Sequence, residues 1–78
     1  MADVILYTRV GCHLCDDAAA LLIRNGLDFQ AIDVDSDPAL QARYNECVPV
    51  VVMDGRERFR GRVDERLLRR LLAHRHSG

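Results

Sequence analysis

Seventy-eight residues, 49% hydrophobic and 29% charged, have the length and balance of one small globular domain spanning 1–78, which excludes a multidomain enzyme and a disordered or fibrous chain. Eleven basic residues, all Arg, against twelve acidic ones give a formal net charge of -1, so a general polyanion binder is not expected. The signs are nevertheless segregated: residues 1–55 hold three Arg and nine acids, whereas residues 56–78 hold eight Arg and three acids.

With no Trp and only two Tyr and two Phe, the chain lacks the stacking platform used by single-stranded nucleic-acid binders, and nucleic acid is not an expected partner. Three Cys, at 12, 15 and 47, are too few and too uneven for a secreted disulfide framework. The first apolar run, Val4-Ile5-Leu6-Tyr7, is shorter than a signal-peptide core or a membrane span. The expected compartment is the cytoplasm, with no membrane partner, and a monomer is the expected state.

Val4 to Thr8 reads as a buried strand running into the loop Arg9-Val10-Gly11. From His13 to Asn25, Leu14, Ala18, Leu21 and Leu22 repeat at helical spacing, and Asn25-Gly26 is a stop signal. Leu27 to Val34 reads as a second strand. Asp37-Pro38 supplies an N-cap and a first-turn proline for a short helix through about Tyr44, which Asn45 can end. Val48 to Met53 is a third strand, Asp54-Gly55 a two-residue hairpin turn, and Arg56 to Arg60 the antiparallel return. Val63, Leu67, Leu68, Leu71 and Leu72 mark a closing amphipathic helix, with fraying expected from His74. The order β-α-β-α-β-β-α predicts an α/β fold in which a mixed four-stranded sheet is packed by helices. Helical crossovers predict three parallel strands, with the fourth antiparallel.

Cys12-His13-Leu14-Cys15 stands where the first strand meets the first helix, and a Cys-x-x-Cys there in a cytosolic chain points to redox chemistry. At i and i+3 the two sulfurs share a face and can close a disulfide with little backbone movement. Cys12, at the helix N-terminus, meets unpaired N–H groups and the positive dipole end, which favour a thiolate nucleophile. Cys15, one turn deeper, is the resolving thiol. Arg9 favours the thiolate and Asp16 opposes it. His13 reads as a solvent-facing member of the motif, with a proton shuttle as its sharper role. A metal or iron–sulfur carrier on the same cysteines is the alternative, although adjacent Cys12 and His13 do not usually face one tetrahedral ion.

The segment Tyr7-Thr8-Arg9-Val10-Gly11-Cys12-His13-Leu14-Cys15 resembles the active-site segment of glutaredoxins. Cys47-Val48-Pro49 stands where that family has Thr-Val-Pro, and Gly61-Arg62-Val63-Asp64-Glu65 where it has Gly-Gly-x-Asp-Asp. With Asp33-Val34-Asp35-Ser36-Asp37-Pro38, the chain looks most like the small glutaredoxin-like subgroup of the thioredoxin fold. The resemblance implies a dithiol thiol–disulfide oxidoreductase with no tightly bound cofactor, acting on protein or glutathione mixed disulfides, with glutathione or another small thiol as co-substrate and glutathione or a flavoprotein reductase as electron donor. It also implies a cis peptide before Pro49, with the Val48 backbone offered to a bound thiol peptide. Arg9 stands at a family Lys position and can fork onto a ligand carboxylate. Arg62 adds a cation in place of a glycine, and the helix start at Val63-Asp64 offers N–H groups to a second carboxylate. His13 completes the expected substrate contacts. Cys47 reads as a small apolar filler, with a second resolving thiol as its redox alternative. The Arg-rich end reads as solvated faces and a charged sheet edge, with docking of an acidic protein as its functional reading.

Overall fold

The structure is a computed structural model that describes residues 4–44 and 48–77, with side chains through residue 73. Its elements are β1 (Val4–Thr8), α1 (His13–Arg24), β2 (Gln30–Asp33), a 3-10 turn (Val34–Ser36), α2 (Pro38–Tyr44), β3 (Val50–Met53), β4 (Arg56–Arg60) and α3 (Glu65–Ser77). The strands form one sheet in the order β2-β1-β3-β4.

Alternation along β1 and β3 divides the interior into two layers. Val4 and Leu6 of β1, with Val51 and Met53 of β3 and Phe59 of β4, face Ala18 and Leu22 of α1 and Leu68 of α3. On the opposite face, Tyr7, Val50 and Val52 meet Val34, Leu40 and Tyr44. Tyr7 and Tyr44 stack with ring centroids 4.7 Å apart, which fastens α2 to the end of β1 by about 0.5–1.5 kcal/mol beyond simple burial.

The helix boundaries follow from local chemistry. α1 buries Cys15, Ala18 and Leu22, one stripe at helical spacing. It ends in paired bonds from Gly26 N–H to the Ile23 carbonyl and from Leu27 N–H to the Leu22 carbonyl, both 3.0 Å. That pattern requires a left-handed residue, and Gly26 adopts φ 74°. Asp37 caps α2 by accepting from Ala39 N–H at 2.8 Å, and Pro38 occupies the first helical position. The Asp54-Gly55 turn has positive φ at both residues, 53° and 81°, the conformation that lets two residues join twisted antiparallel strands.

Four sequence expectations are corrected. β3 runs antiparallel to β1, with Val50 opposite Tyr7 and Met53 opposite Val4, so only β1 and β2 are parallel. The reason is that α2 has only seven residues and is held across one sheet face by Leu40 and Tyr44. It therefore delivers the chain to β3 at the end where β2 leaves, instead of carrying it back along the sheet. The second strand is Gln30–Asp33 rather than 27–34, because Leu27 and Phe29 pack on the core as the incoming loop. The third strand begins at Val50, after Pro49. The last helix continues through Ser77, past the point where fraying is expected. Asn45 and Cys47 lie outside the described residues, and so do the roles read for them.

Candidate active site

Three segments meet at one end of the sheet. The first is the loop leaving β1, in which Cys12 N–H donates to the Arg9 carbonyl at 3.3 Å and Gly11 turns with φ 81°. The second is Val48-Pro49, joined by a cis peptide bond, with Pro49 buried. Because Val50 pairs with Tyr7, Pro49 stands level with the end of β1. The third follows β4: Gly61 N–H donates to the Pro49 carbonyl at 2.7 Å, which binds Gly61-Arg62-Val63 to the proline.

Cys12 is the N-cap of α1, with extended backbone at φ -94° and ψ 111°. The Cys15 N–H donates to the Cys12 sulfur at 3.1 Å, and Asp16 N–H donates to the Cys12 carbonyl at 3.1 Å. The cap position filled by an oxygen in most helices is here filled by sulfur. Cys12 is half-buried and Cys15 buried, and both are free thiols. Burial pushes the Cys15 thiol above its ordinary value, and a hydrogen bond to Cys12 adds to this. The Thr8 side chain and the Arg9 backbone, also hydrogen-bonded to Cys15, act the other way.

Arg9 forks onto Asp35, with Nε to Oδ2 at 2.9 Å and Nη2 to Oδ1 at 3.1 Å. Asp35 also accepts from Gln41 Nε2 at 3.0 Å, and its N–H is held by Asp33 Oδ1 at 2.9 Å. The guanidinium, with help from Gln41, holds the Asp35 carboxyl below the usual carboxylate range. Arg9 thus already carries a carboxylate from its own chain.

The remaining sequence candidates are distributed around this core. His13 is exposed on the first turn of α1. Arg62 and Val63 line a cleft of about 330 Å³ with Leu14, Asp17, Leu21 and Arg24, whereas Arg9 is held on Asp35. Asp64 caps α3: its Oδ1 accepts from Arg66 N–H at 2.9 Å and from Leu67 N–H at 3.3 Å. Two of the N–H groups read as ligand donors at this helix start are therefore satisfied by the Asp64 side chain.

The structure adds residues that the sequence reading passes over. Thr8 reaches Cys15 from the last position of β1. Asp35 holds Arg9, a pairing foreshadowed by parallel neighbours β1 and β2 ending at Thr8 and Asp33. Val10 and Leu14 are 86% and 47% exposed and bracket Cys12 in the chain. Among the described residues, no group of three or more His, Cys, Asp or Glu is placed to hold a metal ion, and no helix is long and apolar enough to cross a membrane.

A mixed four-stranded sheet with three helices and a cis proline beside a Cys-x-x-Cys is the thioredoxin-like arrangement. The chain belongs to the glutaredoxin-like domain family (DUF836), which matches residues 3–73. It is 40% identical over 76 residues to an uncharacterized protein of Mycobacterium tuberculosis, covering 86% of this chain and 78% of that one. Among solved structures, it is similar to a structural-genomics target protein from X. campestris, with a TM-score of 0.80 and 36% identity over 91% of this chain and 96% of the other. It is also similar to the glutaredoxin grx-1 from Archaeoglobus fulgidus, with a TM-score of 0.69 and 26% identity over 92% and 87% of the two chains.

Proposed function

We propose that the protein is a dithiol thiol–disulfide oxidoreductase in which Cys12 is the nucleophile and Cys15 the resolving thiol. The observation that carries this reading is the N–H of Cys15 on the Cys12 sulfur at 3.1 Å, with the Cys15 thiol buried beneath it. A hydrogen bond from a helix N-terminal N–H stabilises negative charge on the sulfur that accepts it. The buried partner stays protonated until it is needed.

The Cys12 thiolate attacks one sulfur of a substrate disulfide, and the other leaves as a thiolate that takes a proton. Cys15 then gives up its proton and attacks the Cys12 sulfur of the mixed disulfide. The second substrate thiol departs, and the Cys12–Cys15 disulfide remains. Two electrons and two protons have passed to the substrate. Two molecules of glutathione, or another thiol donor, return the enzyme to its dithiol form and are themselves oxidised.

The exposed rim of Val10 and Leu14 favours protein disulfides as substrates, and a reducing compartment such as the cytoplasm is where this direction of exchange operates. Glutathione remains the co-substrate of this proposal, with Arg62 as the cation offered to one of its carboxylates and Arg9 able to meet another only in exchange for Asp35. The test is trapping: Cys15→Ser incubated with oxidised glutathione or a disulfide peptide should accumulate one adduct on Cys12, seen by intact mass and peptide mapping. Absence of any Cys12 adduct, with adduct on no other residue, overturns the assignment.

A further inference from the structure

The near-zero net charge hides a polarity that the sheet order makes spatial. Asp28, Asp33, Asp35 and Asp37 cluster in and around β2, whereas Arg56, Arg58 and Arg60 lie on β4 and Arg66, Arg69 and Arg70 on α3. Since β2 and β4 are the two edges of the sheet, one edge is acidic and the other basic, with the Cys12 loop leaving the strands between them. Charged edge strands prevent sheet-to-sheet aggregation, which accounts for the arginines of β4.

It does not account for what lies beside them. Between β4 and α3 runs a groove of about 340 Å³ lined by Phe59, Leu67 and Leu71, with Arg58 and Arg70 among its lining residues. Leu67 is 47% exposed there, although it belongs to the apolar stripe of a helix whose Leu68 is fully buried. Arg60 pairs with Glu57 and Arg69 with Glu65. Among the described residues, Arg58, Arg66 and Arg70 meet no carboxylate within ion-pair distance. An apolar slot flanked by guanidinium groups that lack acidic partners is complementary to an aliphatic or aromatic anchor flanked by carboxylates. The slot also adjoins the site: β4 ends at Arg60, and the next residue, Gly61, is hydrogen-bonded to Pro49.

We infer that the groove between β4 and α3 docks an acidic segment of the partner protein, seating an apolar side chain over Phe59 and Leu71 and its flanking carboxylates on Arg58 and Arg70. This rests on the oxidoreductase reading only in naming the partner as the protein that exchanges disulfides with Cys12; the binding step stands apart from the chemistry. Nucleic acid is the weaker fit, because the groove carries one aromatic ring, itself 7% exposed, and no stacking surface.

The experiment has a binding arm and an exchange arm. In the first, the reduced protein is titrated with a synthetic peptide bearing Leu-Phe between pairs of Asp and Glu, followed by amide chemical shifts. The expected result is saturable binding with shifts centred on Arg58, Phe59, Leu67, Arg70 and Leu71, weakened by salt. Affinity should fall roughly tenfold or more in Arg58→Ser/Arg70→Ser and in Leu67→Ser. No saturable binding, equal binding of the Asn/Gln version of the peptide, or the same shifts with a single-stranded oligonucleotide would each overturn it. In the second arm, the same peptide carrying a mixed disulfide is compared with hydroxyethyl disulfide. The double variant should lose rate on the peptide and keep it on the small disulfide. Equal rates on both substrates defeat the docking inference while leaving the oxidoreductase reading intact, whereas no turnover of either substrate by the unaltered protein defeats that reading and leaves the binding arm to decide the groove.

Discussion

The backbone N–H of Cys15 points at the sulfur of Cys12 across 3.1 Å, so the first helix is capped by the side chain of one cysteine on the backbone of the other. Burial first, and a side-chain hydrogen bond to Cys12 next, raise the Cys15 thiol above its ordinary range.

That raised value has a consequence for stability. A thiol whose folded pKa exceeds its unfolded one contributes stability that is fully present below the unfolded value, about 8.5, and lost as pH rises through the folded value. Urea unfolding of the reduced protein should therefore show a midpoint that falls above about pH 8.5, and Cys15→Ala should show a shallower fall. Parallel curves for the two proteins would contradict the assignment of the shift to burial.

At the acid end the sign is opposite. Arg24 first, then Asn25, hold the Glu65 carboxyl below the usual glutamate range, through contacts of 2.9 Å and 3.2 Å that join the end of α1 to the start of α3. Stability from this group is present above the unfolded value of about 4.3 and lost as pH falls through the lower folded value. Glu65→Gln should lose less stability than the unaltered protein between about pH 5 and pH 3, measured by thermal unfolding across that range.

Asp64, a ligand-site candidate on the sequence, caps α3. Asp64→Ala should lower stability by about 1 kcal/mol, the usual cost of an N-cap, in denaturant unfolding without ligand. Asp64→Asn or Asp64→Ser should restore most of it. A loss of ligand binding with no loss of stability would favour the ligand role alone.

Leu68 is fully buried between α3 and the sheet. Leu68→Ala should cost about 2–5 kcal/mol, a large part of the roughly 4–12 kcal/mol expected for a domain of this size. Leu67→Ala, one residue away on the exposed side, should cost far less. Equal effects would mean that α3 packs with a different face.

The contrast between Leu67 and Leu68 also shows where sequence reasoning stops. Periodicity placed both on one apolar stripe, because the spacing of a stripe does not reveal how wide its partner surface is. Element order, the Asp37-Pro38 start, the Asn25-Gly26 stop and the Asp54-Gly55 turn were legible because each rests on local backbone chemistry. The direction of β3 was not, since it depends on Leu40 and Tyr44 holding a seven-residue helix across the sheet. At the site, Cys12 and Cys15 were legible from spacing and position. The Arg9–Asp35 fork, 26 residues apart in the chain, was hidden because it arises from the parallel pairing of β1 with β2. Resemblance supplied the cis peptide before Pro49, which no local rule specifies.

The central claim, reversible dithiol chemistry between Cys12 and Cys15, is tested most directly by an anaerobic redox titration of the metal-free protein in glutathione buffers, read by intact mass after alkylation. The account predicts one reversible two-electron transition, with the oxidised form lacking both alkyl groups at Cys12 and Cys15 and no such transition in Cys12→Ser. A protein whose two thiols remain alkylatable at every potential, or whose oxidised form cannot be reduced again, would contradict it.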